Sequence, residues 1–368
     1  MRTIQVVNVR WYNATAWYGL TLTRLLAAAG HPSLALVLAG TETEEKAREM
    51  GIEHLALPLN AANPLVLARL YGRLAKLAAE FRPDVVDCHR GESFVLWGLL
   101  ARMRGGFTLV RTRGDQRLPR ADPLNRWLHG KVADAVVATN AAMAAYFREK
   151  MGVPERKLRC IRGGVDRERF RFDAAGRERV RAEFGFGPED MVVGLLGRFD
   201  EVKGHRELIR AVAEVRARPG GRRAKLFLIG FDTALTEGDI CAWIGEAGIG
   251  EATRISGFRE DVAACISALD VGVVASKWSE TIARAALEIM ACGRPLVGTR
   301  VGVMPDLLAG EALVPPGDIP ALAGVLGRCL AKPAFLAKLA AKQAKVVANL
   351  SHESFLAETL ALYREIRR

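Results

Sequence analysis

The stretch DVGVVASKWSETIARAALEIMACGRPLVGT, residues 270–299, reads as three consecutive pieces. An apolar run, DVGVVAS (270–276), precedes a segment in which Ile282, Ala285, Ala286, Ile289 and Met290 recur at helical period. That period starts near Glu280 and stops near Cys292-Gly293, and PLVGT (295–299) begins a second apolar run. Strand, helix and strand in this order, without a hairpin signal, predict parallel strands joined by a crossover helix. Two acids, Glu280 and Glu288, interrupt a stretch that otherwise reads as buried.

The same alternation extends outward in both directions. Strand-like runs occur at TIQVVNV (3–9), LALVLA (34–39), DVVDC (84–88), FTLVRT (107–112) and DAVVAT (134–139). A second series is MVVGLLG (191–197), KLFLIG (225–230) and ATRISG (252–257), followed by the two runs above. Helical-period segments such as LTLTRLLAAAG and ELIRAVAEVRA lie between them. The fold class is therefore α/β, with parallel sheets covered on both faces. There are too many strands for one small doubly wound sheet. A break falls after IRGGVDRERF, where DAAGRERVRAEFGFGPED is polar and helical and a new strand series opens at Met191. Two α/β domains are expected, at 1–170 and 171–350. The tail SHESFLAETLALYREIRR (351–368) is expected to form a helix capped by Ser351. Ligands of such sheets bind where loops follow the carboxyl ends of the strands, so two facing domains would place a cleft between them.

Composition narrows the function classes. The 368 residues include 36 Gly and 15 Pro, an ordinary globular balance. Six cysteines, at 88, 160, 241, 265, 292 and 329, form no C-x-x-C pair, and isolated thiols of this kind fit a reducing cytoplasm. The six histidines show no local ligand spacing, and no metal is expected. P-loop, G-x-G-x-x-G, H-E-x-x-H and G-x-S-x-G motifs are absent. No apolar run reaches the length of a spanning helix, and MRTIQVVNVRWYN reads as a strand entering a loop rather than a leader. The net charge of +12 is uneven: residues 1–170 carry 26 Lys/Arg against 16 Asp/Glu, and the remainder 27 against 25. A basic first half suits an anionic partner such as an acidic membrane surface or a phosphorylated substrate; a solvated basic face is the alternative. No nucleic-acid-binding module is visible.

Two places carry chemistry. In GRFDEVKGH, Arg198 and Lys203 follow the strand 191–197, and two cations in one post-strand loop can hold a diphosphate. The competing role is a surface loop in which they pair with Asp200 or Glu201. In the opening stretch, a helix beginning near Glu280 would aim amides around Thr281 and Ile282 at a phosphate. Glu288 would lie two turns further, about 12 Å away. A carboxylate accepts two hydroxyls at once and so reads a sugar well. Equally, Glu280 could be a helix-start acid and Glu288 a partner for Arg284 at i,i+4.

Taken together, GRFDEVKGH, ISGFREDVAACISALDVGVVAS, SETIARAALEIMACGRPLVGTRVGVMPDLL and IRGGVDRERF resemble family 4 glycosyltransferases of GT-B architecture, including an E-x7-E arrangement at Glu280 and Glu288. The likeness is strongest over about 155–320. It implies two Rossmann-like doubly wound domains facing an interdomain cleft, an N-terminal acceptor domain and a C-terminal nucleotide-sugar domain. It also implies a final helix, about 352–366, crossing back to the first domain. The implied reaction is metal-independent, retaining transfer from a UDP-, GDP- or ADP-sugar without further cofactor. By the same resemblance Arg198 and Lys203 hold the diphosphate, Glu280 contacts the donor sugar together with Thr281 and Ile282, and Glu288 holds the ribose. Gly257, Phe258 and Arg259 border the base.

The chain departs from that pattern in three places. Glu280-Thr281-Ile282-Ala283 stands where Glu-Gly-Phe-Gly is usual, which changes the room beside the donor sugar. RWYNATAWYG replaces a glycine-rich loop after the first strand, and Tyr12, Asn13 and Trp17 are read there as acceptor-side residues. VRTRGDQR lacks the histidine many members carry; Asp115, Arg113 and, from an earlier loop, His89 are the substitutes, each with an ordinary loop role as alternative. The expected acceptor is an anionic glycolipid or surface polysaccharide of lipopolysaccharide type, met in the cytoplasm at the inner face of the membrane. The alternatives are a nucleotide-sugar epimerase and an inactive binding protein of the same fold.

Overall fold

The structure is a computed structural model and describes residues 1–115 and 117–367. Among them the chain divides into two compact units, one running from Met1 to Gly163 and joined by the segment from His352, the other spanning Gly164–Ser351.

The first unit is a parallel sheet of seven strands: β1 (Thr3–Val7), β2 (Ser33–Leu38), β3 (His54–Leu57), β4 (Val85–Cys88), β5 (Thr108–Arg113), β6 (Ala135–Ala138) and β7 (Leu158–Cys160). Their order is β3-β2-β1-β4-β5-β6-β7. Strands β1, β2 and β4 to β6 coincide with apolar runs of the sequence. No apolar run marks β3 or β7, which are four and three residues long and form the two edges. An edge strand is covered on fewer sides and needs little apolar length.

The second unit repeats the plan with β8 (Met191–Leu196), β9 (Ala224–Ile229), β10 (Thr253–Ile255), β11 (Val271–Val274), β12 (Leu296–Thr299) and β13 (Leu313–Val314), in the order β10-β9-β8-β11-β12-β13. The strand without an apolar run is again an edge, the two-residue β13. In both units the order reverses beside the first strand, between β1 and β4 and between β8 and β11. Open sheets of this type bind ligands at that reversal. Strand β8 pairs with β9 from Met191–Ala224 through Leu196–Ile229, but with β11 only at Val193–Val271 and Gly194–Gly272. The reversal therefore opens toward the carboxyl ends.

The C-terminal helix, His352–Ile366, belongs to the first unit. Phe355 packs on Tyr18 with ring centroids 4.6 Å apart. Tyr363 is wholly buried; its hydroxyl donates to Asp87 Oδ2 at 2.8 Å and accepts from Gln5 Nε2 at 3.2 Å. Burial holds the phenol well above its usual pKa, with the nearby Asp87 adding to the effect, so it remains a donor. Tyr363→Phe removes one bond to a buried carboxylate and is expected to lower stability by about 1.5–3 kcal/mol in urea unfolding.

Candidate active site

Three loops of the second unit converge where β8 and β11 part. After β8, the Asp200 carboxylate accepts from Val202 N at 3.0 Å and caps the turn Glu201–Lys203. Gly204 follows at φ 70, and a Cβ there would lie 2.1 Å from the Ala275 carbonyl oxygen. Only glycine permits both that dihedral and that approach. Lys277 N donates to Val202 O at 2.8 Å, stitching this turn to the segment after β11.

The stitching brings Lys203 Nζ to 2.6 Å from Glu280 Oε1. Ser276 Oγ donates to the same oxygen at 2.6 Å. Glu280 is 7% exposed, and Oε2 has no partner among the described residues. Its backbone is fixed from a third side: Val303 N donates to Glu280 O at 2.8 Å. Gly302, at φ 57, makes room for that carbonyl, since a Cβ would come within 2.1 Å of it. Ser276 and the two glycines were not singled out in sequence; their only signal was position immediately after strands.

The helix of the opening stretch does not begin at Glu280. It spans Arg284–Ala291, preceded by Ala283 at φ 52, ψ 54. A left-handed alanine costs roughly 1–2 kcal/mol and ends any helical run to its N-terminal side. Glu280 is claimed instead by Lys203, Ser276 and Val303. The position where the resembling family carries its second glycine thus keeps a glycine-like backbone in alanine form. The stop is as expected: Gly293, at φ 67, closes the last turn with Gly293 N to Met290 O at 3.0 Å.

Glu288 lies one turn inside this shorter helix, not two, and is 8% exposed. Burial raises its pKa, opposed by Arg284 and Arg169. Arg284 Nη2 stands 3.4 Å from Glu288 Oε1, the i,i+4 pair foreseen as the competing role. Arg198 likewise meets its competing partner, with Nε and Nη2 at 3.1 and 2.8 Å from Asp200 Oδ2. Neither pair removes its residue from the loop cluster; each sets the side chain's direction.

Phe258, after β10, is 72% exposed, follows Gly257 at φ 65, and meets Phe231 after β9 edge-on at 5.7 Å. Two exposed rings therefore stand at the carboxyl ends of neighbouring strands. Arg259 does not join them. Four hydrogen bonds tie its guanidinium to Glu183 at 2.7 and 3.1 Å and to Asp261 at 2.8 and 2.9 Å. Ile282 is buried, which leaves only its backbone for a ligand, and Thr281 is half-buried. A cavity of about 300 Å³ lies behind the 200–205 turn, lined by Asp200, Glu201, His205, Arg206, Trp243 and Lys277 among others; Lys203 and Glu280 do not line it.

In the first unit the sequence candidates fare unequally. Asn13 is a helix cap, its Oδ1 accepting from Thr15 N at 2.9 Å and Ala16 N at 3.1 Å. Tyr12 lies under Lys46 Nζ at 5.6 Å, and Trp17 stands beside His352 at 6.4 Å. Asp115 sits between Arg90 and Arg113 at 3.3 and 3.4 Å. His89 requires correction. It is fully buried with Nε2 at 2.9 Å from Gln5 Oε1, and burial pushes its pKa down. Gly19 lies over the ring, so close that a Cβ there would be 3.2 Å away. A neutral, enclosed imidazole cannot meet an acceptor.

Residues 190–332 match the family model for group 1 glycosyl transferases, and residues 16–169 match that for glycosyltransferase family 4. The D-inositol 3-phosphate glycosyltransferase of Rhodococcus erythropolis is 28% identical over 290 residues, 73% of this chain and 65% of that protein. The alignment thus spans somewhat less than two thirds of that relative's length. Among solved structures, a glycosyltransferase from Rickettsia africae superposes with TM-score 0.87 at 18% identity, covering 99% of this chain and 98% of the other. Anabaena HepE in complex with UDP superposes at 0.85 and 18%, covering 99% and 100%. At such identities the superpositions speak for the fold alone. The two sheets have the doubly wound, GT-B form, the two family models meet the two halves of the sequence, and the chain belongs to the family 4, group 1 glycosyltransferases.

Proposed function

We propose that the protein is a retaining, metal-independent glycosyltransferase whose donor is a UDP-, GDP- or ADP-sugar. The observation that carries this reading is the junction of Lys203, Ser276 and Glu280 at the β8–β11 reversal. An ammonium beside a fixed carboxylate suits a diphosphate joined to a sugar. Lys203, with Arg198, faces the charge that develops as the anomeric C–O bond breaks, and Glu280 Oε2 accepts a sugar hydroxyl. The acceptor oxygen forms its new bond on the same face. Its proton passes to the departing diphosphate, so no side-chain base is required. Glu288 accepts ribose hydroxyls, and Phe258 with Phe231 flanks the base. Arg259 acts as a brace for this loop.

The reading is tested by titrating UDP-, GDP- and ADP-sugars, with EDTA present, into the wild-type protein. Binding of none of them would refute it. The ribose role adds a pH signature. Because burial raises the folded pKa of Glu288, the unliganded protein loses stability as pH rises from the ordinary 4.5 through the folded value. Hydroxyl donors favour the ionised form, so nucleotide affinity rises over the same window. Glu288→Gln is expected to flatten both dependences and to weaken nucleotide binding roughly 10–100-fold, measured by calorimetry across pH.

For the acceptor we infer an anionic glycolipid or surface polysaccharide, of lipopolysaccharide type, reached at the inner face of the membrane. Its support lies in the first unit. Val95, Leu99 and Met103 are exposed at four-residue spacing on the helix Phe94–Met103, and Leu124 and Trp127 on the helix Pro123–Trp127. Arg102, Arg104, Arg117, Arg120, Arg126 and Lys131 are exposed on the same segment. Apolar side chains among cations suit an acidic lipid surface. Among the described residues no single helix is long and apolar enough to cross a membrane. Binding to anionic vesicles is expected to fall steeply with salt and to be absent from neutral ones. A second reading, a small phosphorylated polyol acceptor, is favoured by the relative named for D-inositol 3-phosphate.

A further inference from the structure

The polar atoms of the first unit that are closed off from solvent without a hydrogen-bond partner among the described residues include Arg111 Nε and Nη2, Arg113 Nε and Ser93 Oγ. The named atoms share one neighbourhood. Arg111 leaves the carboxyl end of β5, is wholly buried, and stands with its guanidinium 5.5 Å from the Phe94 ring. Only Nη1 is engaged, donating to Cys88 O at 2.6 Å and Thr112 O at 2.7 Å. A Cβ at Gly91 would lie 3.9 Å from Arg111 Nη2, so the loop after β4 rests against the unpaired side. Ser93 is the N-cap of the helix Phe94–Met103, yet its hydroxyl bonds no first-turn amide, and that turn carries no acid.

No carboxylate hydrogen-bonds this guanidinium among the described residues; Asp115 and Asp87 favour its charge only through space. Asp87 is occupied by Thr112 Oγ1 at 2.9 Å and Tyr363 at 2.8 Å. Asp115 lies between Arg90 and Arg113, and Glu92 takes Arg90 Nη2 at 2.7 Å. Burial, with Arg113 adding repulsion, pushes the Arg111 pKa down to about 9, which still leaves it charged at neutral pH. A buried cation with no hydrogen-bonded counter-charge is costly, and unpartnered buried donors mark a place where an ion or water belongs.

We propose that Arg111, Ser93 and the first-turn amides of the helix Phe94–Met103 form a binding site for a tetrahedral oxyanion, with Arg113 at its rim. The ligand class is a phosphate monoester or inorganic phosphate. The fork of a guanidinium matches two phosphate oxygens, and helix amides with an N-cap hydroxyl take the others. Access runs through the 90–92 loop, held by the Arg90–Asp115 pair, whose arginine is one-third exposed, and by Asn8 Nδ2 donating to Glu92 Oε2 at 3.3 Å. That the phosphate is borne by the sugar acceptor rests on the glycosyl-transfer reading; the site itself does not.

The test uses the full chain without donor, at ionic strength held constant with sodium chloride. Inorganic phosphate, inositol phosphate and plain inositol are titrated by calorimetry and by thermal unfolding. Saturable binding of both phosphates, and none of inositol, is expected. Binding of the ester at least tenfold tighter assigns the site to an acceptor, and equal binding assigns it to free phosphate. Arg111→Met serves only if it folds. Ser93→Asp sets a fixed carboxylate beside the guanidinium and is expected to weaken phosphate binding at least tenfold while raising the ligand-free Tm. Crystals soaked in selenate should show an anomalous peak at Arg111 Nη2. The proposal fails if wild type shows no phosphate-specific binding, if Ser93→Asp binds like wild type, or if water alone stands beside Arg111. Loss of the nucleotide-sugar reading would appear differently, as absent donor binding with phosphate binding intact.

Discussion

Lys203→Ala is expected to slow sugar transfer about 10²–10³-fold, the scale for removing one preorganised donor from a developing oxyanion. Lys203 is held at 2.6 Å from Glu280 by a turn that Asp200 caps and Gly204 closes against β11. On the proposed reaction its ammonium would meet a departing diphosphate without rearrangement. The side chain is 23% exposed and packs in no core, so the fold should survive. Glu280 would keep its Ser276 bond, and the defect should appear in kcat more than in donor binding. Single-turnover rates with far-UV circular dichroism check both halves. A variant within about threefold of wild type would exclude Lys203 from the charge-bearing role.

Gly302→Ala is expected to cost roughly 2–4 kcal/mol and to abolish tight donor binding. Two penalties combine. The residue sits at φ 57, worth roughly 1–2 kcal/mol in an L side chain. Its Cβ would also come within 2.1 Å of the Glu280 carbonyl oxygen, displacing the carbonyl from Val303 N and with it the carboxylate. Gly317→Ala is the control. It is equally left-handed at φ 77 but has nothing within 4 Å of a Cβ, so only the dihedral penalty applies. Urea unfolding should rank Gly302→Ala well below Gly317→Ala, and donor titration should separate them further. Equal losses would mean that Glu280 is not anchored through its backbone.

Much of the frame is legible in the sequence because buried parallel strands need unbroken apolar runs. The central strands announce themselves this way, whereas β3, β7 and β13 are too short at the sheet edges to leave a pattern. The helix boundary at Glu280 was misread for a different reason. Periodicity from Ile282 onward continues back to the acid, and nothing local reveals that Ala283 turns left-handed. His89 was misread similarly: a polar residue after a strand reads as loop chemistry, and only packing under Gly19 shows it to be core. The competing roles for Arg198 and Glu288 were legible from spacing, since pairs at i,i+2 and i,i+4 need only local geometry.

By itself, then, the sequence determined the alternating α/β plan, the parallel sheets, the post-strand positions of Arg198, Lys203 and Glu280, and the family likeness. These depend on periodicity and on residue types at fixed offsets, which a chain carries regardless of its folding. The tertiary structure alone decided which of those side chains meet. Lys203 and Glu280 are 77 residues apart and touch because β8 and β11 are neighbours at a reversal of strand order. Glu280 faces Lys203 because Gly302 and Val303, from a third loop, hold its carbonyl. The unpaired donors at Arg111 likewise exist only as a difference between what the fold buries and what it pairs. Hydrogen bonds and burial between distant segments set these facts, and neither is written in local pattern.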